Sequence, residues 1–172
     1  MRTNLTSQIT LNRVSTKYYK PENAVERSVL TRFEKVPTDI YESVDEGVAH
    51  IANEIAGRIQ DRQREGKFFV IGAGTGASLR PLYAELVRKH KDEGLSFRNV
   101  VIFNLYEYYP LAPESAGSSF TQLKDLFVDQ IDIDKQNVFT IDGSIPQEAI
   151  LEYCRLYEQR LQTFGGMDIV LM

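Results

Sequence analysis

Apolar positions along the chain follow two alternating rhythms. Short apolar runs at Phe68–Ile71, Asn99–Leu105, Asn137–Ile141 and Met167–Met172 predict strands buried on both faces. Between them, apolar residues recur at helical spacing. Val44, Val48, Ile51, Ala52, Ile55 and Ile59 share one face of a helix from Ser43 to about Arg64, and Ser43 with Glu46 makes a capping box at its start. Leu79, Leu82, Tyr83, Leu86 and Val87 predict a second helix, with Pro81 in its first turn, where the missing N–H has no intrahelical partner. Phe120, Leu123, Phe127 and Ile131 mark a third. Ile150, Tyr153, Cys154, Tyr157 and Leu161 mark a fourth, expected to be capped by Ser144 and Gln147 and ended by Gly165-Gly166.

Strands alternating with helices across short turns predict an α/β fold: a parallel sheet with helices on both faces and right-handed crossovers. The last apolar run stops at Met172, with no strand-end loop after it, so the domain reads as truncated before its end. Residues 1–35 are polar and weakly periodic and read as an N-terminal extension, whose basic Arg13 to Pro21 stretch suits a solvated arm. Residues 36–172 read as the incomplete α/β domain. Val36 to Tyr41 is either a short strand or a linker, because Pro37 disfavours a central strand.

The chain has 172 residues, 42% hydrophobic and 26% charged, with a net charge of −4. That suits one soluble domain with a real core. Interspersed charge argues against nucleic acid as the main partner, which needs clustered Lys and Arg. No run of about 20 apolar residues predicts a membrane span, and the first residues lack a signal-peptide core. The single cysteine, Cys154, cannot form an internal disulfide; it is expected to be a buried structural thiol, and a cytoplasmic location is the default. The chain has two histidines, and neither stands at helical spacing from the other. His50 is therefore read as packing or surface, and His90 as part of a basic helix C-terminus. No metal is expected. A homo-oligomer is left open.

The chemistry gathers at Gly72-Ala-Gly-Thr-Gly-Ala-Ser, between the first strand and its helix. Glycines at alternate positions are expected to let the backbone turn with positive φ and to admit a ligand. Thr75 and Ser78 add hydroxyls. Strand, glycine turn and helix N-terminus form an anion site of backbone N–H groups and helix dipole. A Walker A loop is excluded, since no Gly-Lys-Ser/Thr follows. The dinucleotide fingerprint Gly72-x-Gly74-x-x-Ala77 is formally present. Its acidic partner is missing at the expected distance, however, because Glu107 lies 35 residues after Gly72 rather than about 20. A sugar phosphate needs less and fits better. The second strand ends in Tyr106-Glu107-Tyr108-Tyr109-Pro110, where open α/β sheets hold ligands. The loop from Pro110 to Ser119 is long enough to be functional.

Five pieces occur in order: Gly72-Ala-Gly-Thr-Gly-Ala-Ser, Phe103-Asn-Leu-Tyr-Glu-Tyr, Pro113-Glu-Ser with Ser118-Ser-Phe, Phe127-Val-Asp-Gln-Ile-Asp-Ile, and Cys154-Arg-Leu-Tyr-Glu-Gln-Arg-Leu. Together they resemble the glucosamine-6-phosphate deaminase (isomerase) family over roughly Val36 to Met172. The resemblance implies a Rossmann-like domain binding a hexosamine 6-phosphate, with the phosphate on Gly74, Thr75, Gly76, Ala77 and Ser78. It also implies conversion of the amino sugar to fructose 6-phosphate and ammonia, in amino-sugar catabolism, with no metal or organic cofactor.

Two departures qualify it. The family's Asp-Glu-Tyr, whose Asp is the catalytic base, is here Tyr106-Glu107-Tyr108. Tyrosine, with a reference pKa of about 10, is a poor base near neutrality unless strongly shifted. Either Glu107 substitutes, although adjacent strand-end residues point to opposite sides; or Tyr106 stacks on or donates to the sugar; or Tyr106 fills space in a drifted site. The second departure is the family's next segment, with an Asp, a ring-opening His and its supporting Glu, which lies beyond Met172. The chain by itself is therefore expected not to open the sugar ring. Two further readings stay open: a non-catalytic sugar-phosphate sensor, and a 6-phosphogluconolactonase-like hydrolase. Phe103-Asn-Leu-Tyr-Glu-Tyr and the Pro113-Glu-Ser loop favour the deaminase branch.

Overall fold

The computed structural model describes residues 23–33 and 38–172. The basic Arg13 to Pro21 stretch, Val36 and Pro37 lie outside the described residues, and residues 38–41 are not strand. The chain divides into two compact units, Met1–Gly47 and Val48–Met172. In the first, α1 (Ala24–Thr31) begins at Asn23, whose side chain accepts from the Glu26 amide at 2.9 Å. The start of α2 (Val44–Arg64) also falls there, and half of the expected capping box forms: Glu46 N–H donates to Ser43 Oγ at 3.1 Å, while the Glu46 carboxylate accepts the Glu42 amide at 3.2 Å in place of the Ser43 amide.

The second unit holds the rest of α2, then β1 (Phe69–Ala73), α3 (Arg80–Glu93), β2 (Val100–Asn104), α4 (Ser119–Leu126), β3 (Val138–Phe139), α5 (Ile150–Thr163) and β4 (Ile169–Leu171). The four strands are parallel in the order β3-β2-β1-β4, with Ala73 opposite Asn104 in β2 and Leu171 in β4. This is the α/β sheet that the alternating rhythms predict.

Strand residues alternate between two cores, because successive side chains leave a strand on opposite faces. Phe69, Ile71, Ala73, Val100 and Ile102 face one core with Ala52, Ile55 and Ile59 of α2, Leu82, Tyr83 and Leu86 of α3, and Leu123 of α4. Val70, Val101 and Phe103 face the other, covered by Phe139, Tyr157, Leu161, Phe164 and Met167. Two details of the expected apolar faces are corrected. Val44 and Ile51 of α2 are exposed. Cys154 is exposed as well, not buried. Only a narrow stripe of α5, Tyr157 and Leu161 with Phe164 just beyond, reaches the sheet. One step round the helix from Tyr153, Cys154 turns away from it. His50 is exposed, and His90, at the end of α3, has Nδ1 2.6 Å from Leu95 O.

The ends of the sheet are tied by polar contacts. Asp168, just before β4, accepts the Val70 amide at 2.9 Å and pairs with Arg62 of α2, joining β4 to β1 and α2 at the N-terminal end of the strands. The Tyr157 hydroxyl lies 2.8 Å from Asn104 O and 3.1 Å from Phe139 O, joining α5 to β2 and β3 at the opposite end. Among the described residues no helix is long and apolar enough to cross a membrane.

Candidate functional site: a glycine turn at the sheet's switch point

From β1 the chain steps outward to β2 and β3, then returns to the other side of β1 for β4. In open α/β sheets, ligands settle at the carboxyl ends of the strands where the order reverses. Here that point is the gap between β1 and β4, and the glycine turn leaves β1 there. Gly74 N–H donates to Leu171 O at 2.9 Å, so the turn begins as an extension of the β1–β4 ladder.

The three glycines do three different things, and none of them turns through positive φ; the positive-φ glycines are Gly66, Gly94, Gly165 and Gly166. The expected backbone freedom is thus not what the turn uses. At Gly72 a Cβ would overlap Met167 Sδ and come within 2.9 Å of Leu105 Cδ2, so this glycine makes room for the second core. At Gly74 a Cβ would stand 2.9 Å from Leu171 O and 3.2 Å from Tyr106 Cε1. At Gly76 the nearest atom is Ser78 Oγ at 3.9 Å, which leaves space for a ligand. Gly76, Ala77 and Ser78 are exposed, Thr75 is half-buried and Gly74 is buried. The turn then closes with Leu79 N–H on Gly76 O at 3.2 Å, and α3 starts at Arg80 without a side-chain cap. Pro81 has no amide and the Leu79 and Tyr83 amides are bonded within the turn, so Arg80 and Leu82 supply the first-turn amides for an anion.

Tyr83, read from the sequence only as an apolar-face residue, supports the turn from below. Its hydroxyl donates to Gly74 O at 2.7 Å. Burial, and secondarily Tyr106, pushes this hydroxyl well above the ordinary tyrosine range, so it stays a donor. Tyr83→Phe is expected to cost about 1 kcal/mol, the net worth of one buried hydrogen bond, read as a lower urea midpoint at unchanged m-value.

Tyr106 and Glu107 point to different places, as adjacent residues at a strand end should. The Tyr106 hydroxyl reaches over the glycine turn. It accepts the Thr75 amide at 2.8 Å, donates to Thr75 O, and lies 3.3 Å from Thr75 Oγ1. Glu107 faces α4 instead. Its Oε1 accepts the Tyr108 and Ser119 amides, both at 2.9 Å; its Oε2 accepts the Ser118 hydroxyl at 2.6 Å and the Phe120 amide at 3.1 Å. Partial burial alone would raise its pKa, but the Ser118 hydroxyl and the three amides outweigh that and hold it below the ordinary carboxylate range.

Ser119 links the two halves of the site. It is fully buried at the first position of α4, and its hydroxyl lies 2.9 Å from Thr75 Oγ1. Sequence reasoning passed over Ser118 and Ser119 as site residues. The available signal was two hydroxyl residues directly before a helical apolar face, the usual start of a helix. Asn104 was also passed over: it is 1% exposed, gives Nδ2 to Tyr106 O at 3.1 Å, and leaves Oδ1 without a partner. Among the described residues no group of His, Cys, Asp and Glu could hold a metal ion.

The loop after β2 is fastened at both ends. Leu111 N–H donates to Gly143 O at 3.0 Å, and Thr121 Oγ1 donates to Pro113 O at 2.7 Å. A Cβ at Gly143 would overlap the backbone oxygens of Tyr108 and Leu111, so the β2 and β3 loops meet at a distance that only glycine permits.

This arrangement has counterparts in known proteins. A glucosamine-6-phosphate deaminase-like protein of Bacteroides thetaiotaomicron is 59% identical over 172 residues, all of this chain and 26% of that protein. A glucosamine-6-phosphate deaminase of Bacillus velezensis is 37% identical over 132 residues, 77% of this chain and 51% of the relative. The chain thus spans about a quarter of the first and about half of the second. Among solved structures, a monomeric glucosamine-6-phosphate deaminase superposes with a TM-score of 0.68 at 29% identity, over 74% of this chain and 51% of that one. The family described as glucosamine-6-phosphate isomerases/6-phosphogluconolactonase matches residues 42–172, and the chain belongs to it.

Proposed function

We propose that this chain is the phosphate-holding part of a glucosamine-6-phosphate deaminase-like protein. The whole protein would convert glucosamine 6-phosphate and water to fructose 6-phosphate and ammonia, by moving a proton between sugar carbons. The observation that carries this reading is the turn Gly74, Thr75, Gly76, Ala77 and Ser78, open at Gly76 and placed at the switch point of the sheet. A phosphate there meets backbone amides, the uncapped start of α3 and the hydroxyls of Thr75 and Ser78. Relatives named as deaminases support the sugar.

A second reading, a non-catalytic sugar-phosphate binder, is favoured by the base position. The Tyr106 hydroxyl is engaged with Thr75, and Glu107 already accepts four hydrogen bonds on the far side of the strand end. In this reading Glu107 is a structural cap rather than a base.

Ammonia release from glucosamine 6-phosphate by the full-length protein separates the two, with calorimetric binding of the same sugar measured alongside. Turnover by the native protein supports the deaminase. Binding without turnover, with activity appearing in Tyr106→Asp, supports the binder. Neither binding nor turnover would remove the sugar-phosphate reading altogether.

A further inference from the structure

We propose that Tyr106 is a latch on the anion site: its hydroxyl occupies, from within the chain, the Thr75 amide that a phosphate oxygen would take. A phosphate monoester then binds fully only by displacing the phenol. This rests on the reading of Gly74–Ser78 as a phosphate site.

The geometry suits a latch in three respects. First, the Tyr106 hydroxyl satisfies both backbone polar groups of Thr75, accepting from N–H at 2.8 Å and donating to the carbonyl. A phosphate dianion can replace the acceptor but has no proton for the carbonyl, so the exchange sacrifices one hydrogen bond. A carboxylate at this position would likewise lack the donor, so the contact needs a hydroxyl. Second, the seat is shaped for the ring. Gly74 has no Cβ where one would stand 3.2 Å from Tyr106 Cε1, and Ser119, 2.9 Å from Thr75 Oγ1, braces the threonine from the other side. Third, the latch can open. Tyr106 is 39% exposed, while Gly76, Ala77 and Ser78 remain accessible beside it. An incoming phosphate therefore finds part of its site free and takes the remainder as the ring swings towards solvent. A site that is competent for only part of the time weakens apparent affinity by the competent fraction.

The test is Tyr106→Phe, which keeps the ring and its packing and removes only the hydroxyl. Binding of inorganic phosphate and of glucosamine 6-phosphate to the full-length protein is expected to tighten about fivefold, the equilibrium equivalent of one net hydrogen bond. In a 15N–1H spectrum the Thr75 amide should shift on Tyr106→Phe, and shift further on phosphate addition. A parallel Thr75→Val/Ser78→Ala variant reports on the phosphate reading itself. If that double variant weakens binding but Tyr106→Phe leaves affinity unchanged, the latch is wrong and the phosphate site stands. If the double variant binds as well as the native protein, the phosphate lies elsewhere and both ideas fall.

Discussion

Replacing Glu107 by alanine is expected to destabilise the protein by about 3 kcal/mol and to loosen the site without touching the glycine turn directly. The carboxylate is the common acceptor for the Ser118 hydroxyl and the Tyr108, Ser119 and Phe120 amides. A hydrogen bond to a charged group contributes about 1.5–3 kcal/mol, and donors left buried without a partner cost more than the average bond gains. The contributions are not additive, since part of the helix start can turn to water, which places the total near the value of one strong bond. The loss propagates: Ser119 carries the hydroxyl that braces Thr75, so freeing the start of α4 also frees one side of the turn. Hydrogen exchange at the Ser119 and Phe120 amides is the direct measurement, and protection that survives the substitution would contradict the capping role.

The same contact has a pH signature. The folded-state pKa of Glu107 is depressed, so the unfolded chain binds its proton more tightly than the folded one does. The stabilisation is fully present above the ordinary glutamate value of about 4.3 and is lost as pH falls through the lower folded value. The Tm gap between native protein and Glu107→Gln should therefore be widest near neutrality and close on acidification below about pH 4. Other depressed carboxylates, Asp132 among them, titrate in both proteins and cancel in the difference.

Phe103→Ala is expected to be costlier, about 3–5 kcal/mol, as for other phenylalanine truncations in closed cores. Phe103 is fully buried, and its ring centroid lies 4.7 Å from Phe139, 5.5 Å from Tyr157 and 6.0 Å from Phe164. These residues form most of the second core, so the cavity opens where α5 has little else to hold it. The urea midpoint should fall sharply, with the Tyr157 bridge to Asn104 and Phe139 loosening first. A loss below about 1 kcal/mol would mean that α5 does not rest on this ring.

These two residues also show how far a linear reading reaches. Phe103 sits in a run of Val100, Val101, Ile102 and Phe103, and its burial follows from that run alone. The same holds for β1, for the helical face of α3, and for the parallel sheet, because period and length carry that information locally; α4 instead stops at Leu126, so Phe127 and Ile131, expected on its face, lie beyond it. The position of the glycine turn was equally legible, as was the Tyr106-Glu107 pair at the end of β2. The purpose of each glycine was not. Gly72 yields to Met167, and Gly74 to Leu171 and Tyr106, so their meaning depends on residues brought close only by folding. Cys154 was misjudged for a related reason: helical spacing marks a face but does not say how wide a stripe the sheet will cover.

Taken by itself, the sequence determined the α/β sheet, the glycine turn on the loop after β1, and the tyrosine and glutamate at the end of β2. Each is encoded in residues near one another along the chain. The tertiary structure decided what these residues touch. Tyr106 and Thr75 are 31 positions apart and Thr75 and Ser119 are 44 apart, so no spacing rule connects them. The parallel register, which sets Ala73 beside Asn104, is what delivers the tyrosine to the turn and Glu107 to α4.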